Sequence, residues 1–157
     1  MNMISHSAAI PRLLEGRLAF VTGAGQGNGR EIGLGLHRSG ARVIVTDMNA
    51  ATVEETAQLI RDEGGEAWAF VLDVTQPDAC RALAARVSAE VGAVDLLVNN
   101  AGIIIREGSD SPRAAENWHK TMDVNVNGTF NVTHALLPSI RARRGTIVNV
   151  ASIAAYS

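Results

Sequence analysis

The chain has 157 residues, of which 46% are hydrophobic and 19% are charged, and its net charge is −2. This length and apolar content suit one domain with its own core and exclude a disordered chain. The near-neutral charge argues against nucleic-acid binding, because nucleic-acid-binding surfaces concentrate positive charge. No apolar run approaches the ~20 residues that span a bilayer, so no membrane association is expected.

Residues 1–16 are predicted to form an N-terminal extension, and residues 17–157 a single domain. The first eleven residues lack the basic start and the long apolar stretch of a signal peptide. Cys80 is the only cysteine, so the fold cannot depend on an internal disulfide or an oxidising compartment. Together these features predict a cytoplasmic protein.

Short apolar runs rich in β-branched residues are predicted as strands. Near-continuous apolar segments of this kind are typical of strands that are buried on both faces, as in a parallel sheet. The predicted strands are residues 17–22, 42–46, 66–72, 94–98 and 145–150.

Helical patterns separate the strands. The third helix is predicted to begin at residues 75–78, which fit the capping box [ST]-x-x-[DE]. The last helix is predicted to stop at Pro138, because proline lacks the N–H that continues a helix. Gly40 and Gly64 are predicted to end the first two helices. The predicted helices are residues 29–39, 50–63, the segment that follows Thr75, and residues 114–137.

The alternation of strands and helices predicts an α/β fold. We expect a doubly wound, Rossmann-like parallel sheet of five strands in the order 3-2-1-4-5, with helices on both faces. In such sheets ligands bind at the carboxyl ends of the strands, where the strand order reverses.

A glycine-rich segment, residues 22–29, lies between the first strand and the first helix. It fits T-G-x-x-x-G-x-G and departs from G-x-G-x-x-G, because Asn28 stands at the last glycine position. Glycines let a phosphate approach the backbone, and a helix start offers N–H groups and a positive dipole. A flexible turn is the alternative interpretation. The predicted phosphate-binding residues are Thr22, Gly23, Gln26, Gly27, Asn28 and Gly29.

Asp47 follows the second strand. A carboxylate at this position can accept hydrogen bonds from both hydroxyls of an adenosine ribose and repels a 2′-phosphate. Neither Gln26 nor Met48 is basic, so neither would attract that phosphate. The sequence therefore predicts that NAD is preferred over NADP. The alternative is that Asp47 is an exposed helix cap.

These motifs, in this order, resemble the short-chain dehydrogenase/reductase family of the classical type, from about Arg17 to the end of the chain. After the third strand, Asp73 and Val74 resemble the pair that contacts the adenine ring in that family. Residues 99–102, N-N-A-G, resemble the motif whose asparagines brace the sheet and whose backbone lies beside the cofactor. The resemblance implies further cofactor-binding residues: Asp73, Val74, Asn100, Ala101 and Gly102.

The resemblance also implies catalytic roles for Asn125 and Ser152. Residues 123–128 resemble the helix motif whose asparagine holds a water in a proton relay, and Ser152 resembles the serine that hydrogen-bonds the substrate oxygen. The alternatives are a polar residue at the rim of a helix face and an ordinary strand-end serine. Helical spacing places Asn125 in a largely apolar stripe, with Trp118, Met122, Thr129, Val132 and Leu136.

The family's Y-x-x-x-K motif, which supplies the acid/base tyrosine, has no counterpart here. Tyr156 is the only tyrosine and lies too close to Ser152, while Lys120, the only lysine, has Glu116 four positions before it. We therefore expect a truncated chain that is inactive alone and lacks the family's C-terminal strands and helices. The fifth strand is then expected to be an exposed edge that a missing segment or a partner would cover.

The predicted function is that of an NAD-dependent oxidoreductase acting on a small-molecule alcohol or ketone. The alternative is a non-catalytic nucleotide-binding or interaction module. No nucleic-acid or membrane partner is expected, and the resemblance allows a homo-oligomer. No metal site is predicted, because the four histidines lack metal-ligand spacing and a single cysteine cannot build a thiolate site.

Overall fold

The computed structural model of the protein describes residues 12–108 and 110–152. Tyr156 and most of the predicted N-terminal extension lie outside the described residues. Within the described residues, no helix is both long and apolar enough to cross a membrane.

The strands form one parallel sheet in the order 3-2-1-4-5, as predicted. Val21 of the first strand is in register with Val45 on one side and Val98 on the other, so the first strand is central. The predicted boundaries are correct to within two residues. The strands are β1 (Leu18–Thr22), β2 (Arg42–Asp47), β3 (Ala67–Val71), β4 (Leu96–Asn99) and β5 (Thr146–Asn149).

Helices alternate with the strands, and a six-residue π-helical segment separates the last two helices. We refer to this segment, Asp123–Gly128, as the π segment. The helices are α1 (Gly27–Arg38), α2 (Ala50–Asp62), α3 (Pro77–Glu90), α4 (Ala114–Met122) and α5 (Thr129–Arg143).

The core has two layers, one on each face of the sheet. Alternate residues of a strand point to opposite faces, and in β1 Phe20 and Val21 belong to different layers. Phe20 packs in the layer formed with α3 and α5, which includes Val87 and Leu136. Val21 packs in the layer formed with α1 and α2, which includes Ile60. Helices therefore cover both faces, as the alternation predicts.

The capping-box prediction at residues 75–78 is wrong. Helix α3 begins at Pro77, and the N-cap residue Gln76 makes no side-chain cap bond. The Thr75 hydroxyl instead donates to Asp73 Oδ1 at 2.7 Å. Proline suits the first helical position because its missing N–H would have no helical partner there.

Pro138 does not end the last helix, which continues to Arg143. Proline removes one backbone hydrogen bond, but the turn that follows it is held by tertiary contacts. Ile140 is buried in the core, and the Ser139 hydroxyl accepts a hydrogen bond from Val94 N–H at 2.7 Å. These contacts outweigh the helix-breaking tendency of proline, which is about 3 kcal/mol.

The π segment changes which helix face meets the core. A π turn inserts a residue into the α-helical repeat and so rotates the following face relative to the preceding one. Val132 and Leu136 are buried as predicted, whereas Trp118 is 63% exposed. Asn125 is also exposed rather than enclosed in an apolar stripe. The prediction of one continuous buried helix face is therefore wrong for the residues before and within the π segment and correct for the residues after it.

Strand β5 is one of the two edges of the sheet within the described residues, and β3 is the other. The inward-facing Ile147 of β5 packs against the core. On the other face Val148 is 44% exposed, and Val150 after the strand is 45% exposed. The exposed apolar edge therefore agrees with the sequence-based expectation.

Candidate functional site

A cleft of about 460 Å³ opens at the carboxyl ends of the strands. All the predicted cofactor-binding residues except Thr22 line it. Four further residues line the cleft that the sequence analysis did not predict as cofactor-binding. Each is apolar and adjacent in sequence to a predicted site residue, and this adjacency could have indicated them. These additional residues are Met48, Leu72, Ile103 and Val124.

Gly23, in the turn after β1, and Gly29, in the first turn of α1, leave no room for a side chain. A Cβ on Gly29 would lie 2.0 Å from the Gly23 carbonyl oxygen, and one on Gly23 would lie 2.8 Å from Ala101 Cα. Gly23 also has a φ of +62°. The first strand, the first helix and the turn after β4 therefore meet with backbone in contact.

The first turn of α1 is available for an anion. Gln26 is its N-cap but makes no side-chain cap bond, and the first turn contains no acidic residue. Unpaired N–H groups and the positive end of the helix dipole together attract a phosphate. Gln26, Gly27 and Asn28 line the cleft at this point.

Thr22 lies behind the cleft and does not line it. Its hydroxyl oxygen accepts hydrogen bonds from Asn100 N–H and Ala101 N–H, both at 3.0 Å. The Asn100 side chain bonds in the opposite direction: its Nδ2 donates to the carbonyls of Thr22 and Gly23 at 3.0 Å. Thr22 thus joins the two turns, and the structure does not place it for direct contact with a ligand.

Asp47 lies at the end of β2 and is held beside the glycine turn. Its Oδ2 accepts from Gly25 N–H at 3.0 Å and its Oδ1 from Asn49 N–H at 3.1 Å. Helix α2 is capped by Asn49, whose Oδ1 accepts from two backbone N–H groups. The helix-cap alternative for Asp47 is therefore wrong, and each carboxylate oxygen can accept a further hydrogen bond.

Asp73 and Val74 line the next part of the cleft. Asp73 Oδ1 accepts from the N–H of Thr75 at 2.9 Å as well as from its hydroxyl. Val74 is supported from behind: its carbonyl accepts from Asn131 Nδ2 at 3.0 Å. A Cβ on Gly128 would lie 2.5 Å from Val74 Cγ2, so the π segment packs directly against this wall.

Cys80 lies behind the same wall, where its thiol faces the Val74 carbonyl at 3.7 Å. Burial, with a smaller contribution from the charge of Asp73, raises the pKa of the Cys80 thiol to about 11. A thiol with this pKa stays protonated at neutral pH, so Cys80 is not a nucleophile of the site.

Asn125 holds the turn that follows β4. Its Oδ1 accepts from Ile103 N–H at 2.8 Å, and its Nδ2 donates to the Ile103 carbonyl at 2.9 Å. Its own carbonyl accepts from the Thr129 hydroxyl at 3.0 Å. The side chain that the family resemblance assigns to a water is thus bound to backbone at the rim of the cleft.

Asn99 braces the sheet next to this turn. It is buried, and its Nδ2 donates at 2.9 Å to both Thr133 Oγ1 of α5 and Asn149 Oδ1 of β5. Ser152 follows β5 and is exposed; it is not among the cleft-lining residues within the described part of the chain. Lys120 is exposed on α4.

A family model of short chain dehydrogenases matches residues 17–157. The chain belongs to this family. The solved relatives have the same fold, and members of the family are oxidoreductases that act on small molecules.

Two bacterial proteins are similar to this chain over most of its length. The Mycobacterium tuberculosis protein named "Probable oxidoreductase EphD" is 44% identical over 142 residues, which are 89% of this chain and 24% of that protein. The 2,3-dihydro-2,3-dihydroxybenzoate dehydrogenase of Bacillus subtilis is 37% identical over 143 residues, 90% of this chain and 54% of that protein. The chain therefore spans only part of the length of the relatives it matches.

Solved structures share the fold. A 7α-hydroxysteroid dehydrogenase in complex with NADH and 7-oxo glycochenodeoxycholic acid is 32% identical, with a TM-score of 0.86 over 95% of this chain and 57% of that one. A structure from Beutenbergia cavernae described as an NAD(P)-dependent gluconate 5-dehydrogenase holds NADP at low occupancy. It is 35% identical, with a TM-score of 0.84 over 94% of this chain and 58% of that one. Solved neighbours thus bind either nicotinamide cofactor.

Proposed function

We propose that this chain forms the cofactor-binding region of an NAD-dependent oxidoreductase that acts on an alcohol or a ketone. The single observation that carries the proposal is Asp47, whose carboxylate stands in the cleft beside the glycine turn. Family membership favours this function over a non-catalytic nucleotide-binding module.

The shape and chemistry of the cleft fit a dinucleotide. The first turn of α1 supplies N–H groups and a positive dipole for the pyrophosphate. Asp47 offers carboxylate oxygens to the adenosine ribose, and Val74 offers an apolar wall to the adenine. The backbone after β4 would lie along the nicotinamide half. The residues proposed to hold the cofactor are Gly23, Gln26, Gly27, Asn28, Gly29, Asp47, Asp73, Val74, Asn100, Ala101 and Gly102.

The preference for NAD follows from charge. A 2′-phosphate at the ribose would face the Asp47 carboxylate, which repels it. The adjacent Met48 and Gln26 carry no charge. Arg30, the cation in the first turn of α1, is paired with Glu55 at 2.7 Å. Since solved relatives hold NADH in one case and NADP in another, these local charges are the basis of the proposed preference.

The chemistry would divide between the cofactor and the chain. A bound nicotinamide supplies the hydride acceptor or donor. We propose that Ser152 hydrogen-bonds the substrate oxygen and that Asn125 supports the proton relay by holding the backbone of Ile103. Residues 1–157 contain no Y-x-x-x-K motif, and we propose that these residues alone bind the cofactor without turning substrate over.

Titration of the purified chain with NADH and with NADPH, followed by nicotinamide fluorescence, tests the proposal. NADH is expected to bind more tightly, and Asp47→Asn is expected to reduce the preference by about tenfold, a change of roughly 1.4 kcal/mol. Asp62→Asn, an exposed carboxylate on α2 outside the cleft, should leave the preference unchanged. Tighter binding of NADPH, or no binding of either, would contradict the proposal.

We also propose that the protein forms a homo-oligomer through the outer face of α4, the π segment and α5. Trp118 of α4, Val126 of the π segment and Phe130 of α5 are 63%, 50% and 65% exposed. Exposed apolar patches on helices favour burial against another protein surface. Light scattering should give at least a dimer mass, and Phe130→Glu should shift it to the monomer. A monomeric unmodified chain would contradict the proposal.

A further inference from the structure

Gly25, in the turn between β1 and α1, is held at the peptide groups on both of its sides. Its N–H donates to Asp47 Oδ2 at 3.0 Å, and its carbonyl accepts from Arg30 Nη2 at 2.7 Å. Neither Gly25 nor Arg30 is among the residues that line the cleft. These two hydrogen bonds therefore support the glycine turn from the side that faces away from the cleft.

The guanidinium of Arg30 has a fixed orientation. Its Nε donates to Thr56 Oγ1 at 3.1 Å, and two of its nitrogens reach Glu55 at 2.7 and 3.3 Å. Thr56 is fully buried, and the Arg30 side chain is only 22% exposed. Helix α2 thus holds the planar group so that one nitrogen points at the Gly25 carbonyl.

The direction of the Gly25 carbonyl fixes the direction of the next N–H. In a planar trans peptide the C=O of one residue and the N–H of the following residue point in opposite directions. The Gly25 carbonyl points towards Arg30 and α2, so the Gln26 N–H points away from them. Gln26 lines the cleft and is the N-cap of α1, so this N–H is on the side where an anion would bind.

The turn has little space in which to adopt another conformation. A Cβ on Gly25 would lie 2.4 Å from Thr52 Oγ1 and 2.9 Å from Asp47 Oδ2. The Gly25 carbonyl has one other side-chain donor, the Thr56 hydroxyl at 3.4 Å. Without the shorter Arg30 bond the carbonyl keeps only this long contact, so the peptide between Gly25 and Gln26 could rotate and turn its N–H away from the cleft. Ordering such a turn on binding would reduce affinity, since preorganisation is part of what makes a site bind tightly.

We infer that Arg30 is a positioning residue for the anion-binding turn: it presents the Gln26 N–H to the cofactor pyrophosphate by holding the Gly25 carbonyl. The inference rests on the proposed function, because it concerns the same cleft. Arg30 does not line the cleft, so in this proposal it acts through the Gly25 carbonyl.

A matched pair of variants separates this role from general stabilisation. Arg38, in the last turn of the same helix, makes a similar two-point contact with Glu63 after α2, at 2.6 and 2.9 Å. Arg30→Met and Arg38→Met each remove one ion pair that connects the two helical regions, but only Arg30 bonds the turn. The dissociation constant for NADH and the unfolding midpoint of the whole chain are measured for both variants.

Arg30→Met is expected to weaken NADH binding about tenfold, in the range of one hydrogen bond to a charged group. Arg38→Met is expected to lower the unfolding midpoint only slightly, because an exposed ion pair contributes little to stability, and to leave NADH binding within about twofold. Arg30→Lys retains the positive charge but lacks the planar guanidinium group that bonds several partners at once. We therefore expect an intermediate loss of NADH affinity, of about threefold.

The results distinguish the two proposals. If the unmodified chain does not bind NADH, the proposed function fails and this inference fails with it. If the unmodified chain binds NADH and Arg30→Met and Arg38→Met bind equally well, only this inference is overturned. If Arg30→Met does not fold, Arg30→Lys decides, and binding equal to that of the unmodified chain overturns the inference.

Discussion

The side-chain amide of Asn125 bonds both backbone polar groups of Ile103, a residue 22 positions earlier in the chain. Asn125→Ala removes both bonds, and we expect the free energy of unfolding to fall by about 1 kcal/mol, because the exposed groups of Ile103 are resolvated. Faster hydrogen exchange of the Ile103 amide would locate the effect. Asn127→Ala, which removes one exposed bond to Asp123 in the same segment, should leave that amide protected; equal exchange in both variants would contradict the assignment.

Two glycines of α1 should respond oppositely to alanine. In Gly29→Ala the new Cβ would lie 2.0 Å from the Gly23 carbonyl oxygen, which no side-chain rotation can relieve. We expect a loss of about 2–3 kcal/mol in stability, and weaker NADH binding because the turn must open. Gly35→Ala meets nothing within 4 Å and should gain about 0.5–1 kcal/mol from reduced chain entropy. Urea unfolding measures both, and a tolerated Gly29→Ala would contradict the close packing.

The alternation of apolar runs and helical patterns was enough to predict the sheet order and the position of the cleft. Strands such as β1 are buried on both faces, so their apolar composition is visible without knowledge of the neighbours. Glycine, carboxylate and amide residues at strand ends could be assigned to one site because parallel strands bring their carboxyl ends to one edge.

The features that the sequence did not predict depend on contacts between distant segments. The helix continues through Pro138 because Ile140 is buried in the core. The sequence around Pro138 does not indicate that burial. Thr22 is the first residue of the glycine motif, yet its hydroxyl oxygen accepts hydrogen bonds from the N–H groups of Asn100 and Ala101. The role of Arg30 depends on α2, whose approach to the turn becomes visible only in three dimensions.

Asp95 should make stability depend on pH. It is buried immediately before β4, where it accepts hydrogen bonds from Leu18 N–H, Arg17 and Arg143, all at 2.9 Å. Burial acts to raise the pKa of Asp95, but the Leu18 N–H and the two arginines outweigh it and hold the pKa below its ordinary value. A carboxylate whose folded pKa is depressed stabilises the fold above its unfolded pKa of ~4, and this contribution disappears as the pH falls through the folded pKa.

Asp95→Asn keeps the shape and removes the charge. We expect it to lower the free energy of unfolding by about 2 kcal/mol at pH 7, and the difference from the unmodified chain to shrink below pH ~4. Urea unfolding at pH 7, 5, 4 and 3 measures this. Asp78→Asn, whose side chain is 90% exposed beside Arg81, should change little at any pH. A difference that stays constant down to pH 3 would show that the Asp95 charge is not responsible.

Arg144, the residue that ends α5, has a left-handed backbone conformation with a φ of 49° and a ψ of 44°. Within the described residues it is the only residue other than glycine with a positive φ. The left-handed region costs a residue with a Cβ roughly 1–2 kcal/mol, so Arg144→Gly should relieve strain and, after the added chain entropy of glycine, stabilise the fold by about 0.5–1 kcal/mol. Arg141→Gly makes the same exchange one turn earlier, in right-handed helix, and should destabilise by about 1 kcal/mol. We therefore expect the unfolding midpoint to rise in Arg144→Gly and to fall in Arg141→Gly. A lower midpoint in Arg144→Gly would mean that the arginine side chain stabilises the fold by more than the backbone strain destabilises it.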